Sequence, residues 1–216
     1  MARQVLRMAE TIGSYGTDLG EFNRPMGLWL DAEGSLFVAD SLNHRIQKIT
    51  PDGDVYGLGG PDLLLNPQGV VVDSSQFIYV IEQGADRLRK FSKTGYLVFT
   101  LGGPSARVPR FSCPTAICMD FYHQLYIADT ENSRVTCYSA TGQWQTDYHG
   151  PSSGLDGSRP QGVAVDTEGR VYVSDTMRHR VVRLKPDGDF DFVFGKHGSE
   201  VGELEEPRGL AADSDG

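Results

Sequence analysis

A β-propeller of four-stranded antiparallel blades is the all-β fold that this sequence predicts, and three observations predict it. The first is a repeated phrase, clearest over residues 160–188. There an apolar run closes at Asp166, a turn follows at Thr167-Glu168-Gly169, and a β-rich run ends at Asp175. Arg180 comes five residues later, and a third run stops at Pro186-Asp187-Gly188. The second observation is the period. The acids that close the first run of each copy, Asp31, Asp73, Asp120, Asp166 and Asp213, lie 42, 47, 46 and 47 residues apart by subtraction. A period in the forties with several strands per unit is the mark of propeller blades. The third is the character of the runs, which are short, rich in Val and Tyr and separated by Asp and Gly turns, as in hairpins. No window carries a helical period.

Taken in order, Thr11-Ile12-Gly13-Ser14-Tyr15-Gly16 with Gly20-Glu21-Phe22 and Pro25 lays onto Val193-Phe194-Gly195-Lys196-His197-Gly198 with Gly202-Glu203-Leu204 and Pro207. Residues 1–13 therefore read as the close of an earlier blade. Complete blades are expected at 25–59, 67–103, 114–150 and 160–195, and 207–216 reads as the inner strand and turn of a further one. Residues 1–216 thus form one propeller domain, expected to be incomplete. In the second copy the strands are expected at 67–73, 77–81, 88–92 and 96–101. The links at 60–66, 102–112 and 150–159 are Gly-rich and variable, and such loops on a regular scaffold commonly carry recognition.

Each inner strand is a nearly unbroken apolar run, as in Gly69-Val70-Val71-Val72-Asp73, which fits a strand covered on both faces. Gly27, Gly69, Gly162 and Gly209, with Ala116 once in their place, sit where inner strands crowd near the axis. The residue after each opening proline is Met26, Gln68, Thr115, Gln161 or Arg208. Four of these five are polar, which suits the mouth of a water-filled central channel, whether they bind a ligand or are simply solvated there. All four complete copies carry an acid and an arginine five residues apart: Asp40 and Arg45, Glu82 and Arg87, Asp129 and Arg134, Asp175 and Arg180. The acid ends one strand and the arginine begins its hairpin partner, so the repetition marks structural pairs; catalytic acids need not come four at a time.

Composition narrows the function. A net charge of −9 argues against a general binder of nucleic acid or anionic membrane, because counterion release needs a surplus of Lys and Arg. No apolar run approaches the roughly 18 residues of a membrane span, and no signal-peptide core opens the chain. Cys113, Cys118 and Cys137 share no place in the repeat and form no CxxC, so they read as reduced thiols, a usage compatible with the cytoplasm.

Chemistry-bearing residues are sparse. His44 and His179 share a loop position, but the inner strands, from which a central zinc would be held, contain no histidine. His123 falls at a hairpin turn, and His149 and His197 fall near outer-strand ends. A catalytic zinc needs about three convergent ligands, so no zinc is expected. The turns at 31–34, 51–53 and 213–216 lack the sixth-position Gly and twelfth-position Glu of a helix-loop-helix calcium loop and read as hairpin turns, so no cofactor is expected. Arg178, His179, Arg180, Arg183 and Lys185 form the main basic concentration, with Arg107 and Arg110 in a neighbouring link. Tyr15, Trp29 and Trp144 do not align at one repeat position, so no base-stacking platform forms. Neither a glycine-rich phosphate loop nor a G-x-S-x-G turn is present.

The recurring P-x-G-[LV]-x-x-D, the second strand ending in [VI]-[ASI]-[DE], and Ser41-Leu42-Asn43-His44-Arg45-Ile46 resemble the NHL repeat over essentially all 216 residues. Copy two departs most, with Gln83-Gly84-Ala85-Asp86 in the loop. The resemblance implies a six-bladed propeller, so part of the ring would lie outside these residues. It also implies a choice of activities: protein-binding scaffold, RNA-binding end of a ubiquitin ligase, sensor domain of a bacterial protein, or zinc-dependent amidating lyase. The expectation is a non-catalytic scaffold whose loop face binds a protein partner, with Gln68, Thr115, Gln161, Arg208, His44, Arg178, His179 and Arg110 as candidate contacts. Neither nucleic acid nor membrane insertion is expected. The alternative is a metal-dependent lyase or lactonase-like enzyme, and the third reading is an RNA-binding domain.

Overall fold

The computed structural model describes residues 11–106 and 110–213. Most of the partial blade expected at 1–13, Arg107 and the Ser214-Asp215-Gly216 turn lie outside them.

A two-residue parallel ribbon comes first, β1 (Ser14–Tyr15) on β2 (Glu21–Phe22). Four antiparallel meanders follow. The first blade is β3 (Pro25–Leu30), β4 (Leu36–Asp40), β5 (Arg45–Ile49) and β6 (Val55–Gly59). The second is β7 (Pro67–Val72), β8 (Ile78–Glu82), β9 (Arg87–Phe91) and β10 (Leu97–Gly102). The third is β11 (Pro114–Met119), β12 (Leu125–Asp129), β13 (Arg134–Tyr138) and β14 (Trp144–Tyr148), and the fourth is β15 (Pro160–Val165), β16 (Val171–Asp175), β17 (Arg180–Leu184) and β18 (Phe190–Phe194). The inner strands β3, β7, β11 and β15 lie against one another in succession, the radial order of a propeller. The ribbon pairing Tyr15↔Phe22 recurs at the far end as the parallel bridge His197↔Leu204.

Alternate residues of one strand serve different neighbours. Val70, Val72 and Val80 pack with Phe37, Ala39 and Ile46 of the first blade. Val71, Tyr79 and Ile81 pack with Leu125 and Ile127 of the third. Strand side chains alternate between faces, and both faces of an inner blade are covered, which is why the strands read as continuous apolar runs.

That cover is complete only inside the stack. β7 is buried throughout, whereas Leu28 and Leu30 of β3 are about two-thirds exposed, at 62% and 65%. No blade lies on their flank among the described residues. Residues 207–213 form no strand, contrary to expectation, because no second strand among the described residues builds a ladder with them. Their carbonyls instead accept hydroxyls of the fourth blade: Thr176 Oγ1 donates to Pro207 O and Ser174 Oγ to Arg208 O, each at 2.7 Å. Gly209 also departs from the expected crowding, since a Cβ there would meet nothing within 4 Å.

The turn between the first two strands is built the same way in every blade. Asp31, Asp73, Asp120 and Asp166 each accept two backbone N–H groups on Oδ1, from residues two and four further on, at 2.8–3.0 Å. This is the side-chain mimic of a backbone turn. The Oδ2 atoms of the last three accept the hydroxyls of Tyr79, Tyr126 and Tyr172 at 2.9, 3.2 and 3.0 Å. Phe37 stands at the tyrosine position in the first blade, and Gln76 Nε2 of the second blade donates to Asp31 at 3.3 Å in its stead.

The arrangement has a pH signature at Asp166. Burial opposes its ionisation, but hydrogen bonds from Arg170 and Tyr172 outweigh it and hold the carboxyl below its ordinary range. A lowered folded pKa contributes stability above the unfolded value, about 3.9, and that contribution is lost as pH falls through the folded value. The stability gap between wild type and Asp166→Asn, measured by urea unfolding, should therefore be full at pH 7 and shrink steadily below about pH 4.

Candidate functional site

In each of the four blades the opening proline pairs with the acid that ends the second strand, as in Pro25↔Asp40 and Pro160↔Asp175. The start of the inner strand, the loop between second and third strands and the incoming link therefore share one end of every blade. The aspartate turns occupy the other end. All candidate contacts lie at the first of these, the loop face.

The acid–arginine pairs organise this face. The four acids have fully buried side chains, and their arginines are 15–24% exposed. The separations are 2.7 Å for Asp40–Arg45, 2.8 Å for Glu82–Arg87 and Asp129–Arg134, and 3.0 Å for Asp175–Arg180. Asp40, Glu82 and Asp129 each accept a link N–H as well, from Asn23, Leu65 and Ser112, at 2.7 Å. Asp175 accepts that of Arg159 at 3.3 Å. The arginines donate onward to link carbonyls: Arg45 to Thr17 and Glu21, Arg134 to Arg110, Arg180 to Gly154. Each pair thus ties the loop to the strand of chain that enters its blade.

Each such loop is a single 3-10 turn closed by a left-handed residue, His44, Asp86, Ser133 or His179. Three of these reach the next link. His44 Nδ1 accepts Asn66 N–H at 3.0 Å, Asp86 Oδ1 accepts Cys113 N–H at 2.7 Å, and His179 Nδ1 accepts Glu206 N–H at 3.1 Å. The recipients precede the opening prolines and are themselves left-handed, with φ of 52°, 53° and 43°. His44 and His179 therefore act as hooks between neighbouring segments and keep an unprotonated Nδ1 to do so. Arg178 is ion-paired to Asp175 at 3.2 Å, and Arg110 contributes its carbonyl to Asn132 and Arg134.

The remaining candidates converge. Met26, Gln68, Thr115, Gln161 and Arg208, one from each repeat, line one axial cavity of about 660 Å³. Gln68 is only 6% exposed and donates to Ser41 Oγ at 2.9 Å and Asn66 Oδ1 at 3.2 Å, so it is a bonded wall residue in place of a solvated rim residue. Thr115 Oγ1 meets Thr130 Oγ1 at 2.8 Å. Arg24 and Arg159 also line the cavity. Both immediately precede an opening proline, a repeat position that the sequence analysis did not follow around the ring. His44, Arg110, Arg178 and His179 stand on the surrounding loops and are not part of the lining.

Among the described residues, no group of three or more His, Cys, Asp or Glu could hold a metal ion. The cavity lining offers Cys113 as its one such side chain. The zinc that the lyase branch of the resemblance implies therefore does not fit here. The three cysteines are free, and burial pushes the Cys137 thiol up to about 12, which keeps it unreactive. No helix among the described residues is long and apolar enough to cross a membrane.

The tips of the loops remain. Leu42 and Met177 occupy the same place in the first and fourth 3-10 turns and are 46% and 60% exposed.

A family model, the NHL repeat, matches residues 158–184. Peptidylglycine alpha-amidating monooxygenase of Rattus norvegicus is 31% identical over 147 residues, 60% of this chain and 15% of that protein. Virginiamycin B lyase from Staphylococcus aureus superposes with TM-score 0.69 at 16% identity, over 88% of this chain and 60% of that one. A nidogen/laminin complex gives TM-score 0.69 at 22% identity, over 90% of this chain and 69% of the other. The two structural likenesses show the β-propeller fold alone. The chain spans under a sixth of the rat relative's length.

Proposed function

We propose that this NHL-repeat β-propeller is a non-catalytic, rigid display module that binds a protein partner through its loop face. The observation that carries the reading is the set of buried acid–arginine clamps. They hold four loops and their incoming links in position before any partner arrives, so little ordering entropy remains to oppose association. Exposed Leu42 and Met177 at clamped tips are apolar anchors of the kind on which interfaces concentrate their energy. A chain of the same fold in a nidogen/laminin complex is consistent with a protein partner.

The test is quantitative capture. A partner retained by the wild-type chain should be retained at least tenfold less by the Leu42→Asp, Met177→Asp double variant, with unchanged circular dichroism and melting temperature. Equal retention by both chains would overturn the assignment of this face.

The enzyme reading is favoured by one observation, that two of the three similar proteins above are named as enzymes. Stoichiometric zinc or calcium in the purified protein, together with lyase or lactonase turnover, would put it first.

A further inference from the structure

We propose that the axial cavity is a second, separate binding site, for a small organic anion: a carboxylate or phosphate carried on an apolar body and held by Arg24, Arg159 and Arg208. Three features of the cavity lead there. The chain has 29 acids and 20 lysines and arginines, yet the lining contains three arginines and no Asp, Glu, Lys or His. In a chain of net charge −9, three guanidinium groups thus face one concave space that holds no carboxylate. Such a cleft focuses the field on an incoming anion, and the planar guanidinium forks match carboxylate and phosphate oxygens.

The second feature is that these arginines are only partly engaged. Arg24 has no hydrogen bond or ion pair among the described residues, and Arg208 meets Glu206 at 3.4 Å across an exposed contact. Arg159 is paired to Glu131, an acid outside the lining, so that pair would turn or share its donors on binding. The acid–arginine clamps, by contrast, have every arginine committed to structure.

The third feature is size and wall chemistry. A volume of about 660 Å³ sits within the range of small-molecule sites, roughly 300–1,000 Å³. Leu28 and Ile117 line the same cavity and suit an apolar body, while Gln161 offers a neutral amide.

The inference goes beyond the protein-docking reading, and its test separates the two. Benzoate and phenyl phosphate are titrated into the full chain by calorimetry at low salt, with benzyl alcohol as the neutral analogue of the same shape. At least one anion should bind with 1:1 stoichiometry and at least tenfold tighter than benzyl alcohol. Which of the two wins names the head group. Arg24→Gln and Arg208→Gln should each weaken binding about tenfold, the scale of a lost charge-assisted contact. Leu42→Asp with Met177→Asp should leave anion affinity unchanged. Equal affinity for benzyl alcohol, or undiminished affinity in the Arg24→Gln, Arg208→Gln double variant, would overturn the proposal. So would displacement of the bound anion by a single-stranded oligoribonucleotide at far lower concentration, which would make the cavity part of an RNA surface.

Discussion

Replacing Asp40 with alanine is expected to lower the unfolding free energy by about 3–5 kcal/mol, the cost of breaking a buried pair from one side. The size follows from what Asp40 holds. Its side chain is fully buried, and it accepts hydrogen bonds from Arg45, Asn43, Gln47 and the backbone N–H of Asn23. Alanine removes the acceptor of the Asn23 N–H and of Arg45 Nε and leaves an arginine side chain only 15% exposed without its counter-charge, in a place that water reaches poorly. Against a typical stability of about 5–15 kcal/mol that is a large share, and at roughly 2–4 °C per kcal/mol for a chain of this size the melting temperature should drop by about 10 °C. Asp40→Asn keeps an acceptor for the Asn23 N–H and should cost less. Urea unfolding of the two variants measures both. A loss under about 1 kcal/mol for Asp40→Ala, the scale of an exposed pair, would show that the clamp does not hold the loop face.

Gly27→Ala should cost about 1–3 kcal/mol, the range for overpacking a tight core, and should loosen the first blade from the second. The added Cβ would stand 2.7 Å from both Gln68 O and Gly69 Cα. Both are backbone atoms of the neighbouring inner strand, so no side chain can turn away to make room. Gly209→Ala is the internal control: the same repeat position, the same chemistry, and open space around the Cβ. Its melting temperature should match wild type. If the two variants melted alike, crowding at the axis would not be the reason for glycine there.

The sequence was most informative where one physical demand recurs in every blade. The closing aspartates revealed the period because Asp31, Asp73, Asp120 and Asp166 must each satisfy the same two turn N–H groups. Gly27 and Gly69 were legible as crowding positions because adjacent inner strands nearly touch. Gly209 was misjudged because crowding depends on a neighbour, and a repeat pattern does not state whether that neighbour is there. For the same reason Leu28 and Leu30 read like the buried valines of β7 although their flank is open. The histidines were harder still. His44, Asp86 and His179 share a task, accepting one N–H from the next link, but an imidazole and a carboxylate look unrelated in a list of letters. Arg24 and Arg159 escaped notice because their significance is joint: each is an ordinary surface residue in its own repeat, and only the stacking of blades brings them to one space.

The two ends of each blade are locked by different devices, aspartate turns at one and acid–arginine clamps at the other, and neither uses the middle residue of the 3-10 turn. The exposed side chains at positions 42 and 177 are therefore free to vary without disturbing the frame beneath them, whereas a Cβ at Gly84 would stand 2.8 Å from Leu65 Cγ and Glu131 is paired with Arg159. A lineage, or a protein engineer, could rewrite those two letters to change what the surface recognises while the architecture stays the same, much as type is reset in an unchanged printing press.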